Sequence, residues 1–188
     1  MGLSGQKTSR RGPVWKGLVL LLCAAAVTLH AQDWAPSGPL LDIIRHLESA
    51  DGLFTVGDNG RSLGPYQLSK AAWLDVNAWR KAHNLAVLDY TENVWSETVS
   101  RGYAADYLRI LHARLAKNLD RSPSSAELYA AYNMGVACFA RCQYSLPRVN
   151  STTAAKCRQV EAFMRGEPTF VHRPEIAKDD SPVRKSEG

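Results

Sequence analysis

Apolar side chains recur at helical spacing along most of the chain. In residues 38–49 (GPLLDIIRHLES), leucine and isoleucine at positions 40, 41, 44 and 47 fall on one side, and Asp51-Gly52 follows as a stop signal. This pattern predicts a helix over Gly38 to Ser49. Comparable patterns predict helices over Gln67 to about His83, Thr91 to about Leu119, Leu128 to Asn133, and a last helix that runs through Met164 and ends at Gly166.

Local signals mark where these helices begin and where the chain changes texture. Ser124 and Glu127 form an S-x-x-E capping box before the fourth helix, and Thr152 or Thr153 is expected to cap the last one. Residues 53–63 are rich in Gly, Asp and Asn around a short Phe54-Thr55-Val56 run, which predicts a small hairpin or an irregular loop. The predicted fold class is mainly α: one helical domain over residues 32–166, with a small β excursion after the first helix.

The N-terminus has the pattern of a secretory signal peptide. Four basic residues precede an uncharged apolar run from Gly17 to Leu29, and small residues follow, so we expect cleavage after Ala31. The run has about 13 residues against the roughly 20 that span a bilayer, so no stable membrane span is expected after cleavage. The prediction is a secreted or periplasmic protein. The polar tail, Glu167 to Gly188, is expected to be disordered in its second half.

Removal of residues 1–31 lowers the net charge of the chain. The whole chain has 23 basic and 18 acidic residues; without the predicted signal peptide 19 basic residues remain, which gives a net charge of +1. Nucleic-acid binding is therefore not expected. Three cysteines remain, Cys138, Cys142 and Cys157, an odd number that predicts one disulfide and one free thiol, with the pairing open. No histidine has metal-ligand spacing, so neither metal nor organic cofactor is expected.

Glu48 is the candidate for chemistry. It stands at the C-terminal end of the first predicted helix, where it opposes the helix dipole; this position and partial burial would both raise its pKa. A carboxylic acid that stays protonated near neutral pH can donate a proton to a leaving oxygen, as a glycosidase acid does. By itself the position is more typical of a solvated surface group.

Three short sequence elements favour a catalytic role for Glu48 over a surface role. Glu48-Ser49 is followed by Gly64-Pro65-Tyr66-Gln67, with the Gln nineteen residues after the Glu, and later by residues 130–135 (AAYNMG). In order and spacing this resembles the signature of the lysozyme-like lytic transglycosylase (SLT) and goose-type lysozyme superfamily. That signature has a Glu-Ser pair, a Gly-x-x-Gln element and an Ala-Tyr-Asn-x-Gly element. The resemblance implies a lysozyme-like α+β fold and glycan cleavage with Glu48 as general acid.

A second resemblance overlaps the first. Residues 58–68 (DNGRSLGPYQL), followed by residues 73–75 (WLD), are similar to the core of invertebrate-type, destabilase-like lysozymes, which pair the catalytic Glu with an Asp. Asp58 is the matching acid, one residue closer to the Gly-Pro than usual. The chain departs from that family in its few cysteines, with Leu63 where a Cys is expected, so destabilase activity does not carry over. Together the two resemblances cover roughly residues 40 to 140.

The role of Asp58 depends on whether it faces Glu48. If it does, it attacks the anomeric carbon or positions water, and the carboxylate separation distinguishes these: about 5 to 5.5 Å for retention and about 6.5 Å or more for inversion. If it points away, the single-Glu scheme of lytic transglycosylases applies, in which Glu48 also takes a proton from the muramoyl 6-hydroxyl and an anhydro sugar results.

Five further residues are candidates for substrate binding. Gln67 and Asn133 carry amides that suit acetamido groups and sugar hydroxyls, although turn or capping roles are equally open to them. Tyr66 and Tyr132 either line the cleft or belong to the core, and Ser62 either contacts the acid or completes a turn. The tryptophans Trp73, Trp79 and Trp95 lie on helical patterns and are expected in the core.

The sequence thus predicts a monomeric, exported enzyme. Its expected substrate is the β-1,4 bond between N-acetylmuramic acid and N-acetylglucosamine in peptidoglycan, or a related N-acetylhexosamine glycan. Two alternatives stay open: a non-catalytic lysozyme-like module that binds glycan, and a part of an envelope assembly that uses the fold as an interaction surface.

Overall fold

The computed structural model describes residues 34–167. The predicted signal peptide and nearly all of the predicted tail lie outside the described residues. The described part is mainly helical with a small antiparallel sheet, as predicted. Its α-helices are α1 (Gly38–Ser49), α2 (Lys70–Ala82), α3 (Tyr90–Asn93), α4 (Glu97–Leu119), α5 (Ser125–Met134), α6 (Val136–Arg141) and α7 (Ser151–Met164). Its strands are β1 (Val56–Gly57), β2 (Ser62–Leu63) and β3 (Leu68–Ser69), and two 3-10 turns cover Asp58–Gly60 and Leu146–Arg148.

Helix α5 occupies the centre of the molecule. Every residue from Ala126 to Tyr132 is buried, and the helix packs against α4, α6 and α7. A helix that is apolar on all sides is stable only when other elements surround it, which explains this position. On the far side of α4, Trp73 of α2 stacks on Tyr103 with ring centroids 3.7 Å apart. No helix within residues 34–167 has the length and apolar character needed to cross a bilayer.

The sheet is a three-stranded antiparallel meander that follows α1. Val56 pairs with Leu63, and Leu63 in turn pairs with Leu68. Gly64 makes the second turn possible, since its φ is +77° and a Cβ there would lie 2.0 Å from the Val94 carbonyl oxygen. The predicted hairpin is thus confirmed, with a third strand that the sequence did not indicate.

Several predicted helix ends are confirmed. Helix α1 has the predicted bounds, and it ends where Ala50 takes a left-handed conformation (φ 48°). The capping box of Ser124 and Glu127 is present with both of its reciprocal hydrogen bonds. The last helix ends at Met164, just before Gly166.

Other boundaries differ from the prediction. Helix α2 begins at Lys70, not Gln67, because Leu68 and Ser69 pair with β2. The predicted helix from Thr91 to Leu119 is two helices, and Ser96 caps the second by accepting a hydrogen bond from the Val99 amide. Asn150, not a threonine, caps α7. Helix α6 was not predicted.

Two predictions about buried side chains are wrong. Cys138, Cys142 and Cys157 are all free, so the expected disulfide is absent from the described residues. The Cys157 thiol points instead at α5 and donates to the Ala126 carbonyl oxygen at 3.5 Å, and burial raises its pKa to about 11. Trp95 is 47% exposed, whereas Trp73 is fully buried and Trp79 partly so.

Candidate functional site

A cleft of about 690 Å³ lies beside the end of α1. One wall comes from the sheet and its 3-10 turn, and the other comes from α5 and α7. Polar groups dominate both walls, and the volume lies within the range of sites for small organic ligands. Side chains or backbone of the following residues line it: Glu48, Gly57, Asp58, Asn59, Arg61, Ser62, Gln67, Leu68, Ser69, Ala72, Tyr107, Tyr132, Asn133, Met134, Gly135 and Lys156.

The end of α1 is anchored by the residue that follows Glu48. Ser49 is buried, and its Oγ lies 2.7 Å from the Pro65 carbonyl oxygen and accepts a hydrogen bond from the Gly52 amide at 2.9 Å. The hydroxyl thereby joins the helix end to the Gly64–Gln67 turn. This buried hydrogen bond holds the backbone at the end of α1, next to Glu48, against the turn. This contact gives a structural role to the Glu-Ser pair of the sequence signature.

Glu48 is largely removed from solvent, with 11% of its side chain exposed. Its Oε1 accepts a hydrogen bond of 2.5 Å from the Tyr129 hydroxyl and one of 3.2 Å from Asn133 Nδ2. Lys156 Nζ lies 3.5 Å from the same oxygen. Within the described part of the chain, Oε2 has no hydrogen-bond partner and is not closed off from solvent. The carboxyl group is therefore held through one oxygen, while the other has no partner among the described residues.

Helix α7 orients the amide that contacts Glu48. The Thr153 hydroxyl donates to Asn133 Oδ1 at 2.9 Å, which leaves Nδ2 directed at the carboxylate. Thr153 is buried in turn, and its amide is bonded to the cap residue Asn150. Asn133 thus has a partner on each side of its amide, and its orientation depends on the packing of α7 against α5.

Two tyrosines of α5 behave as fixed donors. Burial raises the pKa of Tyr129, and the negative charge of Glu48 raises it further. Tyr132 is also buried, which raises its pKa, and its hydroxyl donates to the Tyr66 carbonyl oxygen at 2.7 Å. Both phenols therefore stay protonated across the physiological range. Tyr129 donates a hydrogen bond directly to the Glu48 carboxylate, whereas Tyr132 lines the cleft and bonds the backbone of the Gly64–Gln67 turn.

The opposite wall contains the other predicted site residues. Gln67 Nε2 donates to the carbonyl oxygens of Gly64, at 2.8 Å, and Phe54, at 3.2 Å, so both amide protons are used within the loop. Asp58 is exposed in a left-handed conformation (φ 50°), and its carboxylate accepts a hydrogen bond of 3.1 Å from the Ser62 hydroxyl. Both Asp58 and Ser62 line the cleft, and Ser62 contacts Asp58, not Glu48.

Tyr66 is the predicted binding residue that does not reach the cleft. Its side chain is fully buried, and its hydroxyl accepts a hydrogen bond of 2.9 Å from Arg101. Burial raises its pKa, although the Arg101 guanidinium opposes that effect. A side chain without accessible surface cannot contact a sugar, so Tyr66 belongs to the core. Its backbone nevertheless supports the site through the Tyr132 hydroxyl.

Two contacts of Glu48 were missed from the sequence, those of Tyr129 and Lys156. Tyr129 stands three and four residues before Tyr132 and Asn133, so helical spacing places all three on adjacent faces of α5. This spacing could have indicated Tyr129 as a contact of Glu48, because a buried carboxylate needs hydrogen-bond donors and Tyr129 lies beside Asn133 on the helix. Lys156 carries no comparable local signal, because its role depends on where α7 docks.

The arrangement suits proton transfer. A largely buried carboxyl group with one oxygen held by donors at the edge of a cleft has the position that a general acid or base requires. Asp58, Ser62 and Gln67 line the sheet side of the same cleft. Within residues 34–167, no three His, Cys, Asp or Glu side chains cluster as metal ligands would.

Comparisons with known proteins return no match. No protein-family model matches the chain. Neither the curated proteins nor the solved structures contain a significant match to it. The geometry of the cleft and the three short sequence elements near it are therefore the features that indicate a function.

Proposed function

We propose that the protein cleaves the β-1,4 bond between N-acetylmuramic acid and N-acetylglucosamine in peptidoglycan, with Glu48 as general acid. The observation that carries the proposal is the state of that side chain. It is 11% exposed, fixed through Oε1 by two hydrogen bonds, and part of the lining of a polar cleft of about 690 Å³. The resemblance of residues 48–49, 64–67 and 130–135 to lysozyme-like signatures supports the same function.

The cleft lining is suited to a glycan. Asn133, Ser62 and Gln67 line the cleft with neutral amide and hydroxyl groups, of the kind that bind acetamido groups and ring hydroxyls. Charged groups are few and lie at defined places, with Glu48 and Lys156 on one side and Asp58 and Arg61 on the other. A sugar polymer with occasional charges matches such a lining better than an apolar ligand does.

In the proposed reaction, Glu48 takes up a proton and then gives it to the glycosidic oxygen as the bond from that oxygen to the anomeric carbon breaks. The resulting Glu48 carboxylate then acts as a base. In a hydrolysis, a water molecule adds its oxygen to the anomeric carbon and gives a proton to the Glu48 carboxylate, with Asp58 assisting from the opposite wall. In a transglycosylation, the muramoyl 6-hydroxyl adds instead, its proton passes to Glu48, and a 1,6-anhydro sugar results.

Replacement Glu48→Gln tests the proposal. The amide keeps the shape and the acceptor oxygen but cannot donate an acidic proton, so release of muropeptides from purified peptidoglycan should fall by at least about 100-fold. Glu92→Gln is the matched control, because Glu92 is exposed on α3 and is not part of the cleft lining. Mass spectrometry of the wild-type products separates a free reducing end from an anhydro end. Equal release by wild type and Glu48→Gln would refute the role of Glu48.

One observation favours a second candidate, a cleft that binds glycan without cleaving it. The ion pair between Lys156 and Glu48 gives the carboxylate a fixed charged partner, as in a site built for recognition. Titration calorimetry with glycan strands distinguishes the two. Binding by the wild type with no new reducing or anhydro ends after prolonged incubation would favour recognition over catalysis.

A further inference from the structure

Lys156 is a cleft residue with spare hydrogen-bonding capacity. It lies on α7, lines the cleft, and has 28% of its side chain exposed. Its Nζ forms the ion pair with Glu48 Oε1 at 3.5 Å, but makes no hydrogen bond of its own with the described residues. An ammonium group has three N–H donors and no acceptor. It therefore presents donors and a positive charge to whatever occupies the cleft beside Glu48.

The position of Lys156 beside Glu48 depends on how α7 packs against α5. Thr153, one helical turn earlier on α7, is buried and hydrogen-bonded to Asn133, which itself contacts Glu48. Lys156 and Asn133 therefore approach the same carboxylate oxygen from two helices. The other cation in the cleft lining, Arg61, belongs to the opposite wall, is exposed, and donates through Nε to the Asp58 carbonyl oxygen. Lys156 is the cation positioned at the proton donor.

We propose that Lys156 binds the free lactyl carboxylate of the N-acetylmuramic acid residue whose glycosidic bond is broken, so that the cleft selects glycan strands without stem peptides. The inference rests on the proposed function and adds its substrate class. A charge-assisted hydrogen bond from Nζ spans about 2.8 Å, which puts the bound carboxylate within about 6 Å of Glu48 Oε1. The lactyl group is attached to C3 of the ring that carries the scissile C1, so one ring separates the two groups.

Stem peptides change this chemistry. When a stem is attached, the lactyl carboxyl group is an amide and has no charge, so it offers Lys156 a weaker partner. The remaining carboxylates of a stem are further along the peptide and do not come so close to the scissile bond. The reaction that supplies the preferred substrate is accordingly hydrolysis of the amide bond between the lactyl group and the first amino acid of the stem.

Three glycan preparations of equal length test the inference: strands with intact stems, strands with stems removed, and stem-free strands whose carboxyl groups are methyl esters. Wild-type kcat/KM should be about 10-fold higher on the free carboxylate than on the other two, mainly through KM. Lys156→Met keeps the length of the side chain, and we expect it to abolish the preference by lowering kcat/KM about 10-fold more on the free carboxylate than on the other two strands. Lys156→Arg should retain most of it. Lys117→Met, an exposed substitution on α4, is the control.

The outcomes separate this inference from the proposed function. Cleavage of all three strands at equal rates by the wild type would overturn the role of Lys156 and leave glycan cleavage intact. An equal loss on all three in Lys156→Met would also overturn it, since Lys156 would then act through Glu48. Absence of both binding and turnover with every strand would contradict the proposed function and the inference together. Thermal unfolding of each variant identifies losses that come from misfolding.

Discussion

Substitution of Tyr129 by Phe isolates the hydrogen bond that fixes Glu48. The Tyr129 ring is fully buried, so Phe fills the same volume and leaves no cavity; only the 2.5 Å hydrogen bond to Glu48 Oε1 is lost. A hydrogen bond to a charged group contributes about 1.5–3 kcal/mol, and one between neutral groups contributes about 0.5–1.5 kcal/mol. We therefore expect Tyr129→Phe to lower the free energy of unfolding by about 2 kcal/mol in the wild type at neutral pH. In a Glu48→Gln background, which retains a neutral acceptor, we expect about 1 kcal/mol.

Urea denaturation monitored by tryptophan fluorescence measures both values, and an unchanged m-value indicates that the unfolding transition is comparable between variants. Tyr107→Phe is a control from the same cleft, because the Tyr107 hydroxyl makes no hydrogen bond with residues 34–167; its cost should stay below about 0.5 kcal/mol. The reasoning is refuted if Tyr129→Phe costs as little as Tyr107→Phe. It is also refuted if the cost is the same in both backgrounds, because the carboxylate charge would then contribute nothing.

Two further predictions concern stability. Gly64→Ala should lower the free energy of unfolding by at least about 2 kcal/mol, because φ is +77° and the new Cβ would meet the Val94 carbonyl oxygen. Gly102 lies in the interior of α4 with no atom near the position of a Cβ, so Gly102→Ala should raise the free energy of unfolding by about 0.5–1 kcal/mol in the same urea titration. The Arg121 guanidinium lowers the pKa of buried Glu127 in the folded protein. The Glu127 carboxylate therefore stabilises the fold at pH values above its ordinary pKa of about 4.5, and this stabilisation is lost as the pH falls through the lower pKa of the folded state. Glu127→Gln should therefore lose less stability than the wild type between pH about 4.5 and 2, and an identical acid dependence of the two melting temperatures would contradict this.

The elements that the sequence predicted correctly are those whose signals are local. Helix α1 has a stripe of apolar residues, and the Asp51-Gly52 stop signal stands almost directly after its last residue. The capping box of Ser124 and Glu127 is likewise complete within four residues. The break before α4 was missed because the apolar pattern continues across it, and the conformation there depends on the close approach of Gly64 to Val94.

Part of the candidate site was predictable in the same way. The signatures brought attention to Glu48 and Asn133, and the structure places Nδ2 of Asn133 3.2 Å from the Glu48 carboxylate. They could not show that Tyr129 also donates to Glu48, since 81 residues separate the two. They also could not decide between core and cleft for Tyr66, which the packing of α4 and its Arg101 resolves in favour of the core.

By itself, the sequence determined most of the segments that become helices, where most of these end, and that a carboxylate stands at the end of the first helix. These features follow from backbone preferences and side-chain periodicity over a few residues. Only the tertiary structure decided that α7 brings Lys156 and Thr153 to that carboxylate, and that Cys157 faces a carbonyl oxygen and not another thiol. The physical reason is that hydrogen bonds and ion pairs act over a few ångströms, and the separation between distant segments is set by how the whole core packs.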